Sequence, residues 1–508
     1  MFGKIFSWTK DNCILLSIFV SVALLIFAHS YFFGAYISPD STSYLRATQS
    51  LRDGYGFRMD AAAGDPNGYF SIWPIGYPAM IALVSVIINT EVYLASKILS
   101  IVILLIIFIM LYTRFKKNAW LYAFVALNWG FLNIFYYTWS EQPFILGLIW
   151  ISFTAIDILE SERVQYSHYI SICLASLFLF LSRYIGAFSI GVIGIIAIYH
   201  LVFGISKKST EYIKKAVLLF TTAIFVTGFV IFYLFLNHKY SGYLTGAERV
   251  PSSENPFGLF LMLCRAQIRE MINVFGGFFV MSYAIVFIVY MTCAVVVFRF
   301  LNIKRGSFYK YIPIPAFSFL SIGLLYWLSI VTMRFLSQFD GFSYRLLFPA
   351  SALFILGIIN IIENYHSELI EKITFGFRRY FLAVVIVSSL FMPLVRPLYY
   401  AVFKPDQNTG YQKMRSGVIE ELQGIPAHSL IITDWLGAKG YTNFIRPDLF
   451  VRYNRLQNSD DVFSIMIESS KEIYLYYDWH LISDEIKNDM NSRYNGILDF
   501  EKKVVRIK

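Results

Sequence analysis

Residues 72–89 read I-W-P-I-G-Y-P-A-M-I-A-L-V-S-V-I-I-N, and how this stretch is taken decides the fold. It is apolar enough to pass for a membrane crossing. Counted as one, it places Arg114, Lys116 and Lys117 outside and inverts every later basic loop against the positive-inside rule. Taken as a juxtamembrane or re-entrant helix, with Pro74 and Pro78 setting its start, it leaves the charge register intact.

The rest of the chain fits that reading. Of 508 residues, 57% are hydrophobic and only 15% charged, where soluble domains carry about a quarter charged. The class is therefore a polytopic α-helical membrane protein, and the 49 Phe and 36 Tyr suit interfacial aromatic belts. The four cysteines form no legible disulfide framework. The net charge of +10 sits mostly in short loops between spans, so it calls for no nucleic acid.

Residues 1–34 are similar to a signal peptide, but the apolar run from Cys13 to Gly34 is longer than the usual h-region. It is read as an uncleaved first span with a cytoplasmic N-terminus. Spans two to four follow at 95–112, 120–137 and 142–158. The run 169–203 exceeds the ~20 residues of one crossing and is split at Ser182, Arg183 and Gly186 into spans five and six. Spans seven to eleven are placed at 216–236, 274–298, 312–333, 346–362 and 381–399. About eleven helices result, in a membrane module over 1–400 with external loops at 35–94 and 237–273. From 401 to 508 the composition is that of soluble sequence. Strands at 429–433, 473–477 and 504–507 alternate with helices at 412–422 and 459–469, predicting a small extracytoplasmic α/β domain.

The first loop opens Y-I-S-P-D-S-T-S-Y-L-R-A-T-Q-S-L-R-D-G-Y-G-F over 36–57. Ser38, Asp40 and Ser41 supply capping oxygens for a short helix over about 41–52, which holds Asp40 where the chain leaves the membrane. Topology gathers Asp40, Arg46, Lys97, Glu141, Arg183, His238, Lys239, Arg249, Arg265, Arg269, Arg334 and Arg345 on the same face. Charges at membrane depth call for partners or a function. Two carboxylates among many cations suit chemistry in which the cations hold a lipid phosphate, while a carboxylate deprotonates an acceptor or binds a divalent cation such as magnesium or manganese. Lys97, Arg183, Arg345, Arg334 and Tyr44 are the lipid-phosphate-binding candidates, Asp40 and Glu141 the catalytic and metal-binding ones, and His238 with Lys239 mark an acceptor or loop position. Plain structural readings stand beside these, Asp40 and Glu141 as helix caps, Arg183 as snorkelling or paired with a carbonyl, Arg345 as a headgroup anchor and His238 as interfacial. No phosphate loop, nucleophile elbow or zinc spacing is present.

In order, P-D-S-T-S-Y-L-R with Asp40, W-P-I-G-Y-P, S-E-Q-P-F-I-L-G with Glu141, L-S-R-Y-I-G with Arg183 and R-L-L-F-P with Arg345 resemble the GT-C superfamily of membrane glycosyltransferases. That superfamily includes the protein O-mannosyltransferases and the aminoarabinose transferases. The sequence departs from it at Ser41, where protein mannosyltransferases carry a second acid, at Lys97, commonly arginine, and at Gly76–Tyr77, where a lysine is usual. The resemblance implies a polyprenyl-phosphate-linked sugar donor on the outer leaflet and a glycan, lipid or protein acceptor. It implies Asp40 as general base or metal ligand, Glu141 as second acid, and Arg183, Arg345 and Lys97 on the lipid phosphate. Inversion at the anomeric carbon follows from direct displacement. A polysaccharide polymerase or ligase, a lipid-linked-glycan flippase or transporter, and a membrane scaffold are the alternatives. With no N-x-S/T sequon anywhere, a prokaryotic plasma membrane is the expected location.

Overall fold

The computed structural model describes residues 10–30, 36–58, 68–246, 250–272, 312–339, 341–365, 411–433, 442–446, 448–453, 472–493, 499–502 and 504–507. The expected spans at 274–298 and 381–399 and the expected helix at 459–469 lie outside these residues. Helix α1 covers Lys10–Ala28. Helix α2, Pro39–Arg52, follows as the first loop predicted. The deciding stretch becomes α3, Gly76–Ile88, whose 13 residues reach about 20 Å at 1.5 Å each, short of a ~30 Å hydrocarbon core. Gly76 is required there by a close approach, since a Cβ would sit 2.5 Å from the Leu181 carbonyl oxygen. Leu83, Val86, Ile87 and Ile88 leave an exposed apolar face on α3, as suits a helix lying at a membrane surface.

Six helical stretches among the described residues are long and apolar enough to cross a membrane: Val92–Leu127, Glu141–Glu160, Tyr184–Lys207, Thr210–Ser241, Ile314–Leu336 and Tyr344–Asn364. The first contains a reversal. Helix α4, Val92–Phe115, ends at Lys116 with φ 50°, and the chain then runs back beside it. Phe115 stacks on Tyr122 with ring centroids 3.5 Å apart, and Lys97, near the other end of α4, bonds to the Tyr136 carbonyl. The returning path is not the single helix expected over 120–137. It consists of α5, Ala119–Ala123, a 3-10 turn at Phe124–Leu127, and α6, Trp129–Tyr136. The break falls at Asn128, whose side chain accepts from the Gly130 amide at 2.7 Å and so caps α6, at the cost of helix continuity.

Helix α7 is Glu141–Glu160 and α8 is Tyr166–Ser182. The predicted split falls where Arg183 adopts an extended conformation (φ −153°, ψ 138°), followed by a 3-10 turn over Tyr184–Ala187 and α9, Phe188–Lys207. Gly186 is obligatory at this corner because a Cβ would meet the backbone of Leu179 and Phe180. Helix α10, Thr210–Ser241, packs along α9 and turns Ile224, Phe225, Ile231 and Phe232 outward, an apolar surface suited to lipid. The second external loop, expected over 237–273, carries α11, Pro256–Ile272. Its Leu259 and Leu263 pack against Phe342 and Leu347, an amphipathic stripe that span-length windows overlook. Helices α12, Ile314–Leu336, and α13, Tyr344–Tyr365, pair closely and share the central core with α4 and α7.

The last unit opens with α14, Tyr411–Glu421. Strands β1, Leu430–Thr433, β2, Phe450–Tyr453, β3, Ile473–Tyr476, and β4, Val504–Arg506, form one sheet in the order β2-β1-β3-β4. The β1 strand is parallel to both neighbours and β4 is antiparallel at the edge. Leu430, Ile432 and Leu475 face one core while Ile431, Val451 and Tyr476 face the other, the alternation of a sheet covered on both sides. The expected α/β unit is therefore present, with β2 added to the three strands foreseen.

Candidate active site

Two helix N-termini and two arginines from distant elements build one cluster. Ser38 caps α2, accepting from the Ser41 amide at 3.2 Å, and Pro39 opens the helix, so Asp40 lies in its first turn where the helix dipole favours a carboxylate. Glu141 is the first residue of α7 and is wholly buried. Arg183 stands at the extended corner after α8, and Arg345 is the second residue of α13.

Arg345 bridges the two acids. Its Nε donates to Glu141 Oε1 at 2.5 Å, and its Nη1 is ion-paired with Asp40. Arg183 Nη1 forms a second ion pair with the same Glu141 oxygen. A buried carboxylate is tolerable only when paired, and Glu141 has two guanidinium partners. The cluster of Asp40, Glu141, Arg183 and Arg345 sums to zero charge. Aromatic rings enclose it: Arg345 lies 4.7 Å from the Trp139 ring centroid and Arg183 6.0 Å from that of Phe144.

The segment Trp139-Ser140-Glu141 ties the two helix starts together. Trp139 Nε1 donates to Ser38 Oγ at 2.6 Å, and Tyr44 of α2 donates to Ser140 Oγ at 2.7 Å. Burial, reinforced by the Glu141 and Asp40 carboxylates, holds the Tyr44 phenol well above its usual range, so it remains a donor. Sequence reasoning missed Trp139. Its adjacency to Glu141 in T-W-S-E-Q-P was the available signal.

Other predicted residues sit elsewhere. Lys97 is buried on α4, where its Nζ donates to the Tyr136 carbonyl at 2.6 Å and Thr138 Oγ1 at 3.2 Å; among the described residues no carboxylate pairs with it. Arg334 pairs with Glu254 and lies 5.8 Å from the Phe339 ring centroid. His238 and Lys239 are exposed in the last turn of α10. The Arg249 backbone and the Arg269 side chain lie outside the described residues. Magnesium or manganese held between Asp40 and Glu141 does not fit this arrangement. The Arg345 guanidinium joins both carboxylates where the cation would sit, and among the described residues no three His, Cys, Asp or Glu side chains gather.

No family model matches the chain, and no curated protein matches its sequence. Its structure is similar to that of ArnT from Cupriavidus metallidurans bound to undecaprenyl phosphate, with a TM-score of 0.58 at 10% identity, covering 98% of this chain and 99% of that one. The apo state of the same protein gives a TM-score of 0.57 at 10% identity over 98% and 99% of the two chains. The chain thus shares the fold of ArnT over nearly its whole length.

Proposed function

We propose that this chain is a glycosyltransferase that moves a hexosyl or pentosyl group from a polyprenyl-phosphate-linked donor to a glycan, lipid or protein acceptor. The observation that carries the reading is Arg345 spanning Asp40 and Glu141, with Arg183 alongside, at one end of an apolar bundle whose fold ArnT shares.

The two acids have different work because they differ in exposure. Glu141 has no accessible surface and cannot take a proton from an incoming acceptor; its charge holds both guanidinium groups in place. Paired guanidinium groups suit the donor phosphate, which gains negative charge as its bond to the sugar breaks. Asp40, with a side chain 21% exposed, is the general base. The acceptor hydroxyl or amine attacks the anomeric carbon, its proton passes to Asp40, and the electrons of the C–O bond leave with the lipid phosphate. Arrival of the phosphate draws Arg345 toward itself and frees Asp40 to accept the proton. One displacement inverts the anomeric centre.

Arg114, Lys116, Lys207 and Lys215 lie at the opposite end of the helices from this cluster, and under the positive-inside rule this supports a site and a C-terminal unit outside the cytoplasm; a prokaryotic plasma membrane is part of the proposal. The test is sugar transfer from a panel of radiolabelled polyprenyl-phosphate sugars by purified wild type, Asp40→Asn and Glu141→Gln. Transfer by wild type with a folded but inactive Asp40→Asn supports the reading. Full activity in Asp40→Asn reduces Asp40 to a helix cap, and glycan crossing the bilayer without donor consumption replaces the transferase with a flippase.

A further inference from the structure

The C-terminal unit does not rest at a distance from the cluster. Tyr411, the first residue of α14, is buried and stacks on Tyr93 of α4 with ring centroids 3.9 Å apart and planes 19° from parallel. Leu45 and Ile37, on and beside the Asp40 helix, pack in the same apolar contact with Met414 and Ile445. Arg415 adds an ion pair to Glu91 at 3.2 Å.

From Tyr93 a chain of direct contacts leads to Glu141. The Tyr93 hydroxyl donates to the Ser30 carbonyl at 2.6 Å, and Ser30 Oγ donates to the Tyr136 carbonyl at 3.1 Å. Lys97 Nζ lies 5.0 Å from the Tyr93 ring centroid and holds the Tyr136 carbonyl and Thr138 hydroxyl. Gln142, positioned by a 2.7 Å bond from Ser100, donates to the Tyr137 carbonyl at 2.7 Å. The bend from the end of α6 through Thr138 thus has the Tyr136 and Tyr137 carbonyls and the Thr138 hydroxyl bonded from both sides, and it delivers Trp139, Ser140 and Glu141 in succession. A buried amine whose partners among the described residues are neutral oxygens and an aromatic face depends on the arrangement of those partners, because each lost hydrogen bond leaves a buried polar group unsatisfied.

We propose that Tyr411, Tyr93 and Lys97 are positioning residues through which docking of the C-terminal unit sets the bend carrying Glu141, and hence the placement of Arg345. The unit then governs the rate of the chemical step in addition to any role in choosing the acceptor. The statement about rate rests on the transferase reading; the statement about the bend does not.

The experiment compares full-length wild type, Tyr411→Ala, Tyr411→Phe and Lys97→Met by hydrogen–deuterium exchange and, with a donor from the panel, by kinetics. Tyr411→Ala should speed exchange in peptides covering 134–142 as well as 411–421, and Tyr411→Phe should restore both. Lys97→Met should speed exchange at 134–142 while leaving 411–421 protected. Turnover in Tyr411→Ala should fall about tenfold with the acceptor KM unchanged, the size of one lost aromatic pair. Unchanged exchange at 134–142 in both Tyr411→Ala and Lys97→Met overturns the proposal. So does a raised acceptor KM at full turnover. If no donor is consumed by wild type yet exchange is coupled as described, the transferase reading fails and the coupling stands.

Discussion

Arg345 Nε donates to Glu141 Oε1 at 2.5 Å, and 204 residues of chain separate the two. This bond closes the cluster, since the same guanidinium carries Asp40. Replacing Arg345 with Met leaves Asp40 without this pair and a buried carboxylate with only Arg183. The expected cost is about 3 kcal/mol of stability, read as a lowered unfolding midpoint in detergent. A double variant, Arg345→Met with Asp40→Asn, should recover part of it, because Glu141 keeps its Arg183 pair while the second change removes the charge of the carboxylate that lost this one.

Trp139 serves both helix starts, as a hydrogen-bond donor to Ser38 and as the ring beneath Arg345. Trp139→Phe keeps an aromatic face and loses the donor, so about 1 kcal/mol of stability should go. Trp139→Leu loses both and should lower sugar transfer further than Trp139→Phe does. Equal transfer rates for the two variants would sink the cation–π role.

Gly186→Ala should be poorly tolerated. The added methyl meets the Leu179 backbone, which has no flexible end to move aside. Overpacking of this kind costs about 1–3 kcal/mol. Arg183 is three residues away at the same corner, so phosphate-lipid binding should weaken along with the thermal midpoint, whereas Gly191→Ala, with open space at its Cβ, should change neither.

The C-terminal unit has its own acid-sensitive contact. Arg446 binds Asp448 through two hydrogen bonds, 2.8 and 2.7 Å, and these hold the Asp448 carboxyl below its usual range. A depressed folded-state pKa contributes stability above the unfolded value and loses it as pH falls through the folded one. Wild type should therefore exceed Asp448→Asn in thermal midpoint near neutrality, and the two curves should converge as pH drops below about 4. Parallel curves across that window would remove Asp448 from the acid response.

Much of the architecture follows from local pattern. Apolar runs of span length, the proline-led short helix at 76–88, the corner at Arg183 and the alternating strands at 430–433 and 473–476 were legible because hydropathy, capping and periodicity depend on residues within a turn or two of each other. The sequence by itself also determined which chemistry the chain could support, by placing two acids and two arginines at span ends. Only the tertiary structure decided how they are used. Lys97 and Arg345 are alike in a hydropathy profile, yet Lys97 braces a bend of carbonyls while Arg345 joins both carboxylates. Asn128 reads as one polar residue in an apolar run, but folded it ends a helix. The physical reason is common to all three. A transfer scale records what a side chain loses on leaving water, and a buried polar group must then find whichever partner the packing of distant segments brings within about 3 Å.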